Sequence, residues 1–308
     1  MSLYPPPQDI ETEVFASLPA HLHRNARSAW ADASLNGAKL PGFLEGPSFD
    51  LDGNLYMVDI PFGRILRLVA NTGDWEVVAE YDGEPNGLKI HRDGTIYIAD
   101  YRNGIMTLNP DTGEVTGFCL RDRMQSFKGC NDLVFARDGT LYFTDQGLTG
   151  LHDPTGRVYR RHVDGRLECM IDTVPSPNGL VPDLDEGLLY IAVTRANAVW
   201  RMPLPRDGGT FKVGLFVQLS GGLGGPDGMA LDEQGNLAVC HAGMGSVWLF
   251  SRLGEPLYRV RSRTGLMTTN CAYGGPGNRY LFVTESESNT VLRAKMPWPG
   301  KPMFSHMV

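Results

Sequence analysis

The sequence predicts an all-β fold, a six-bladed β-propeller with four-stranded blades. Three observations carry this. One segment pattern recurs six times with a period in the forties, which is the spacing of propeller blades. The chain of 308 residues holds 37 glycines and 21 prolines, an excess that calls for many turns. Between the turns lie short runs rich in β-branched and aromatic residues.

Each repeat opens on a polar anchor followed by an apolar run. The anchors are Glu45, Asn86, Asn131, Asn178, Asp227 and Asn270, spaced by 41, 45, 47, 49 and 43 residues. Asp52-Gly53, Asp93-Gly94, Asp138-Gly139 and Gln234-Gly235 are hairpin turn signals. They lead into runs such as Thr95-Ile96-Tyr97-Ile98 and Thr140-Leu141-Tyr142-Phe143. A fourth strand is predicted at 75–81, 114–120, 166–172, 211–219 and 256–262. The sixth repeat has none, because Met-Pro-Trp-Pro-Gly-Lys-Pro after Lys295 suits no strand. Residues 12–18, ahead of the first repeat, have the missing form. The expectation is that this N-terminal strand completes blade six and closes the ring, protecting its edges. The whole of 1–308 then forms one domain. Residues 21–37 fit no blade. Their composition is helical, and the insertion either covers the channel mouth or packs on blade one.

Composition narrows the function. The formal charge of −7 argues against a nucleic-acid binder. No apolar stretch approaches the ~20 residues of a membrane span. The N-terminus lacks the basic and apolar regions of a secretory signal. Five irregularly spaced cysteines suggest no disulfide framework. A cytoplasmic protein without membrane or nucleic-acid partners is expected; the oligomeric state is not readable. There is no P-loop, no strand–GxGxxG–helix unit and no Gly-x-Ser-x-Gly elbow; Gly221-Gly222-Leu223-Gly224-Gly225 reads as a turn into Asp227.

If each anchor begins its blade's innermost strand, six carboxylate or carboxamide side chains ring the channel at one level. Oxygen donors of this kind suit a hard divalent cation, with Ca²⁺ favoured over Mg²⁺, Mn²⁺ or Zn²⁺. The alternative is a hydrogen-bonded polar plug, since Asn-Gly and Asp-Gly pairs also make turns.

Four motifs in order, Glu45-Gly46-Pro47, Asn131-Asp132, Pro177-Asn178-Gly179-Leu180 and Pro226-Asp227-Gly228-Met229, resemble those of the gluconolactonase, regucalcin and luciferin-regenerating-enzyme family. The resemblance spans residues 12–296. It implies a six-bladed propeller with one divalent metal in the channel, held by positions matching Glu45, Asn178 and Asp227, with Asn131 as a further ligand or close contact. It also implies lactone hydrolysis. In the sugar-lactone members an arginine stands two residues before the asparagine at 131. Here that position is Gly129, preceded by Lys128, so the metal chemistry carries over further than the sugar specificity.

The chemistry expected is metal-assisted opening of a small lactone, with Asp227 as general base or as ligand alone. Loops on the anchor side supply the candidate substrate contacts Tyr101, Lys128, Gln146, Arg195 and His241. His241 is also a candidate for proton transfer, or a hydrogen-bonded loop histidine. The loop 146–156, with His152 and Asp153, is either a lid or a surface loop. Two other functions share the fold: ester or phosphotriester hydrolysis or non-hydrolytic carbonyl chemistry at the same metal, and a non-catalytic calcium-binding scaffold.

Overall fold

The computed structural model describes residues 4–205 and 208–307. Six antiparallel sheets stand in a ring. The innermost strands are Leu44–Phe49, Pro85–Ile90, Cys130–Phe135, Pro177–Pro182, Gly225–Leu231 and Thr268–Gly274. Each lies beside the inner strand of the next blade, and the sixth returns to the first. The expected turns form: Gly94 and Gly139 adopt φ of 89° and 88°, the left-handed region open to glycine. The Asp93 and Asp138 carboxylates accept from the backbone N–H of Thr95 and Thr140 at 2.9 and 2.8 Å.

The ring closes as the sequence predicts. Glu13–Ser17 pairs antiparallel with Thr290–Lys295 and completes blade six, with Glu13 opposite Arg293. One strand was not anticipated. Gln8–Glu11 runs parallel to Pro256–Arg261 and adds a fifth strand to blade five. The N-terminal segment thus ties together the two blades on one side of the closure.

The core is a set of wedges between blades. Leu44, Met57 and Leu66 of blade one meet Phe282 and Val291 of blade six, for example. Residues 301–305 lie across the far end of the channel, opposite the anchors. Lys301 N donates to Leu231 O at 2.8 Å, Ser305 Oγ to Phe49 O at 3.3 Å, and Phe304 stacks on Phe135 at 4.8 Å. No helix among the described residues is long and apolar enough to cross a membrane.

The insertion before blade one is less helical than its composition suggests. It holds a 3₁₀ turn at Ala20–Leu22 and one short α-helix, Ala29–Ser34. Between them Asn25 takes a φ of 49°, and Ala26 bridges to Leu40. Ser28 Oγ caps the helix by accepting from Ala31 N at 3.1 Å. Trp30 and Ala31 are buried against Phe43, Val58 and Ile60 of blade one.

Candidate active site

All six inner strands break register at the anchor. The shifts fall at Glu45–Ser48, Pro85–Gly87, Cys130–Leu133, Pro177–Leu180, Pro226–Met229 and Thr268–Asn270. A bulge re-aims a side chain out of the pleat's alternation, and it does so at the one position per blade that starts with a carboxylate or amide. The glycines after the anchors serve packing. A Cβ at Gly179 would sit 2.5 Å from Asp227 O, and one at Gly228 would sit 2.1 Å from the Asn270 side chain. These Asn-Gly and Asp-Gly pairs therefore lie in strands pressed against the next blade, not in reversing turns.

Above the anchors opens a cavity of about 660 Å³. Glu45, Asn86, Asn131, Asn178 and Asp227 line its floor. Asn270 sits just beneath and donates from Nδ2 to Glu45 Oε2 at 2.8 Å. Glu45 also accepts from Gly46 N. Asn131 Nδ2 donates to Gln146 Oε1 at 2.9 Å, and Gln146 Nε2 donates to Ser176 Oγ at 3.0 Å. Asn131 is thereby turned so that its Oδ1 is left over, buried and without a hydrogen-bond partner.

Carboxyl groups crowd together here. Burial and the neighbouring Asp132 carboxylate push the Glu45 carboxyl up to about 8. Burial and then Glu45 and Asp132 hold Asp227 well above the carboxylate range. Asp132, itself buried, has the Lys89 ammonium at 3.8 Å. A cation bound among these carboxyls would favour their ionised forms, the reverse of what burial does. No three His, Cys, Asp or Glu side chains among the described residues converge on one point, so a cation here would take amide oxygens as well. The orphaned Asn131 Oδ1 supplies one. The donor set is all oxygen and fits a hard divalent ion.

The expected substrate contacts divide. Tyr101, Gln146 and Arg195 line the cavity. Lys128 does not: its backbone N–H donates to Asp145 Oδ1 at 2.6 Å and its ammonium turns to Thr155 Oγ1. His241 does not line it either. It shares a strand face with Leu237 and Val239, which pack between blades four and five, and lies fully buried beneath Gly222. Its Nδ1 accepts from Trp248 Nε1 at 3.2 Å, and burial lowers its pKa. Of the loop 146–156, residues 146–152 form part of the cavity wall.

Three acids at the ends of second strands do structural work that the sequence reading did not assign. Asp59 Oδ1 accepts from Phe43 N at 2.7 Å, Asp100 Oδ2 from Glu84 N at 3.1 Å, and Asp145 Oδ1 from Gly129 N at 2.8 Å. Each fixes the loop that leads into an anchor. Their recurrence at the end of the second strand in repeats one to three was the signal that could have found them.

A propeller with one oxygen-donor ring at a cavity floor defines a class of small-molecule site rather than one enzyme. The model of the SMP-30/gluconolactonase/LRE-like region matches residues 43–287, and the chain belongs to this lactonase-like hydrolase family. It is 30% identical to a gluconolactonase of Zymomonas mobilis over 283 residues, 82% of this chain and 78% of that one. It is 28% identical to the diisopropyl-fluorophosphatase of Loligo vulgaris over 303 residues, 86% and 92% of the two chains. Among solved structures, the calcium-binding protein regucalcin of Agrobacterium tumefaciens shares the fold with a TM-score of 0.77 at 20% identity, covering 98% and 99%.

Proposed function

We propose that this protein opens the ring of a small lactone by cation-dependent hydrolysis. The observation that carries the reading is the buried Glu45 carboxylate and the half-buried Asp227, which repel one another, beside an orphaned amide oxygen at the floor of a substrate-sized cavity. The gluconolactonase relative supports the substrate class. Glu45, Asn131, Asn178 and Asp227 are the residues that would hold the cation. When bound, such a cation polarises an ester carbonyl and acidifies water.

The chain's own residues supply the rest. Asp227 is partly open to the cavity, and its carboxylate is the group proposed to take the proton from the attacking water. Gln146, held at both ends by Asn131 and Ser176, keeps the Asn131 oxygen aimed at the floor. Tyr101 and Arg195 sit where they can orient the substrate's carbonyl side. His241 has no part in this scheme, being sealed under Gly222.

The test strips the protein with chelator and follows acid release from γ- and δ-lactones as Ca²⁺, Mg²⁺, Mn²⁺ or Zn²⁺ is restored singly. The reading expects turnover only with metal. Equal turnover with and without cation would overturn it. An organophosphate ester belongs in the same panel because of the diisopropyl-fluorophosphatase relative; phosphotriester turnover without lactone turnover would replace the lactone reading.

A further inference from the structure

The cavity has two unlike halves. The half facing blades two to four carries Asn86, Asn131, Gln146 and Asn178. The opposite wall is built by the insertion, blade one and the entry to blade six: Trp30, Leu35, Phe43, Ile60 and Met267. Trp30 and Phe43 pack at 4.8 Å between ring centroids and are both only 8% exposed, so this wall is closely packed. Across the cavity, on the blade-three loop, Leu148 and Leu151 stand 67% and 71% exposed at its edge.

Several hydroxyl and amide groups of the lining are already engaged. Gln146 is used at both ends. Thr149 Oγ1 donates to Gln146 O at 2.6 Å and accepts from Ser176 N at 3.1 Å. Thr194 Oγ1 donates to Pro226 O at 2.8 Å; on the blade-six side, Thr269 Oγ1 lies 2.8 Å from Ser286 Oγ. A ring hydroxyl set against these engaged groups, or against the apolar wall, would leave water without gaining a partner, which costs binding. Nor is there room for a longer side chain at Gly129. A Cβ there would sit 2.7 Å from the Tyr101 ring, which fills that corner.

Resting on the lactone-hydrolase reading above, we infer that the substrate is a lactone with an apolar substituent, alkyl or aryl, on its ring, and that Trp30 and Phe43 select it. The ester lies on the oxygen-donor floor. The substituent lies along the Trp30–Phe43–Ile60 wall. An apolar group entering this wall sheds water without asking for a hydrogen bond.

The test is a series of γ-lactones with hydrogen, methyl, butyl and hexyl substituents, set against glucono-δ-lactone. The holoprotein should gain about fourfold in kcat/KM for each methylene that reaches the wall. Calorimetric binding of the matching γ-lactams should follow the same order. In Trp30→Ala the hexyl-to-unsubstituted ratio should collapse at least tenfold, and Trp30→Phe should keep most of it. A preference for the polyhydroxylated lactone, or a flat alkyl series in both turnover and binding, overturns the inference and leaves lactone hydrolysis standing. Lactams that bind in the alkyl order, with no lactone turned over, would instead keep the apolar site and remove the hydrolase reading. The wild-type series decides even if Trp30→Ala fails to fold.

Discussion

Replacing Asp59 with asparagine should destabilise the protein by about 3–5 kcal/mol, because it leaves a charge buried without its partner. Arg64 and Asp59 are 1% and 0% exposed. Asp59 Oδ2 accepts from Arg64 Nε at 2.8 Å while Oδ1 accepts from Phe43 N at 2.7 Å. Arg64 Nη1 donates to Leu22 O at 2.9 Å, so the pair fastens the insertion that carries Trp30. Unfolding entropy of about 2.1 cal/mol/K per residue makes about 0.65 kcal/mol/K for this chain, so the loss reads as a fall in Tm of about 5–8 °C. Differential scanning calorimetry measures it. The double replacement Asp59→Leu with Arg64→Met should recover most of the loss, since a packed apolar pair substitutes well for a buried ion pair. A shift below about 1 °C, or a double variant no better than the single, would refute the reasoning.

Three further outcomes follow from the same structure. A divalent cation at about 100 times its Kd should add about 2.7 kcal/mol of stability, about 4 °C by the same conversion; Glu45→Gln should remove most of that gain in a thermal shift assay, and a Tm indifferent to every divalent ion would count against the site. Burial lowers the His241 pKa, so the native state resists a proton that the unfolded chain accepts. Its share of stability is whole above about pH 6.5 and declines as pH falls through that value, by at most ~1.4 kcal/mol per pH unit. The Tm–pH slope below about pH 6.5 should flatten in His241→Gln, and an unchanged slope would contradict this. Gly129→Ala should cost about 1–3 kcal/mol by overpacking against Tyr101, and adding Tyr101→Ala should return part of it; a neutral Gly129→Ala in denaturant unfolding would show that the corner is open.

The propeller was legible because each level of the sequence agreed: period, turn pairs, alternating runs and a missing sixth strand supplied from 12–18. The anchors were legible because six polar residues stood in phase. What escaped depends on three-dimensional neighbours. Gln8–Glu11 is a strand only because the Pro256–Arg261 edge lies beside it. His241 ends an apolar run, and nothing local says which way its ring turns; the face it shares with Val239 decides that. Lys128 lies two residues before Cys130, where its strand begins, yet its backbone, not its ammonium, meets the Asp145 carboxylate. Asp132 could be read only as part of a motif. Its burial beside Glu45 and Lys89, which sets the charge of the floor, appears when the inner strands are assembled.

The central claim is that Asp227 takes a proton in a cation-dependent ring opening. The most direct measurement is kcat of Asp227→Asn against wild type on the best lactone, at saturating cation, with bound cation counted in both. The account predicts a loss of about 10²–10⁴-fold with the fold intact. A variant that binds its cation and turns over within a few-fold of wild type would contradict it.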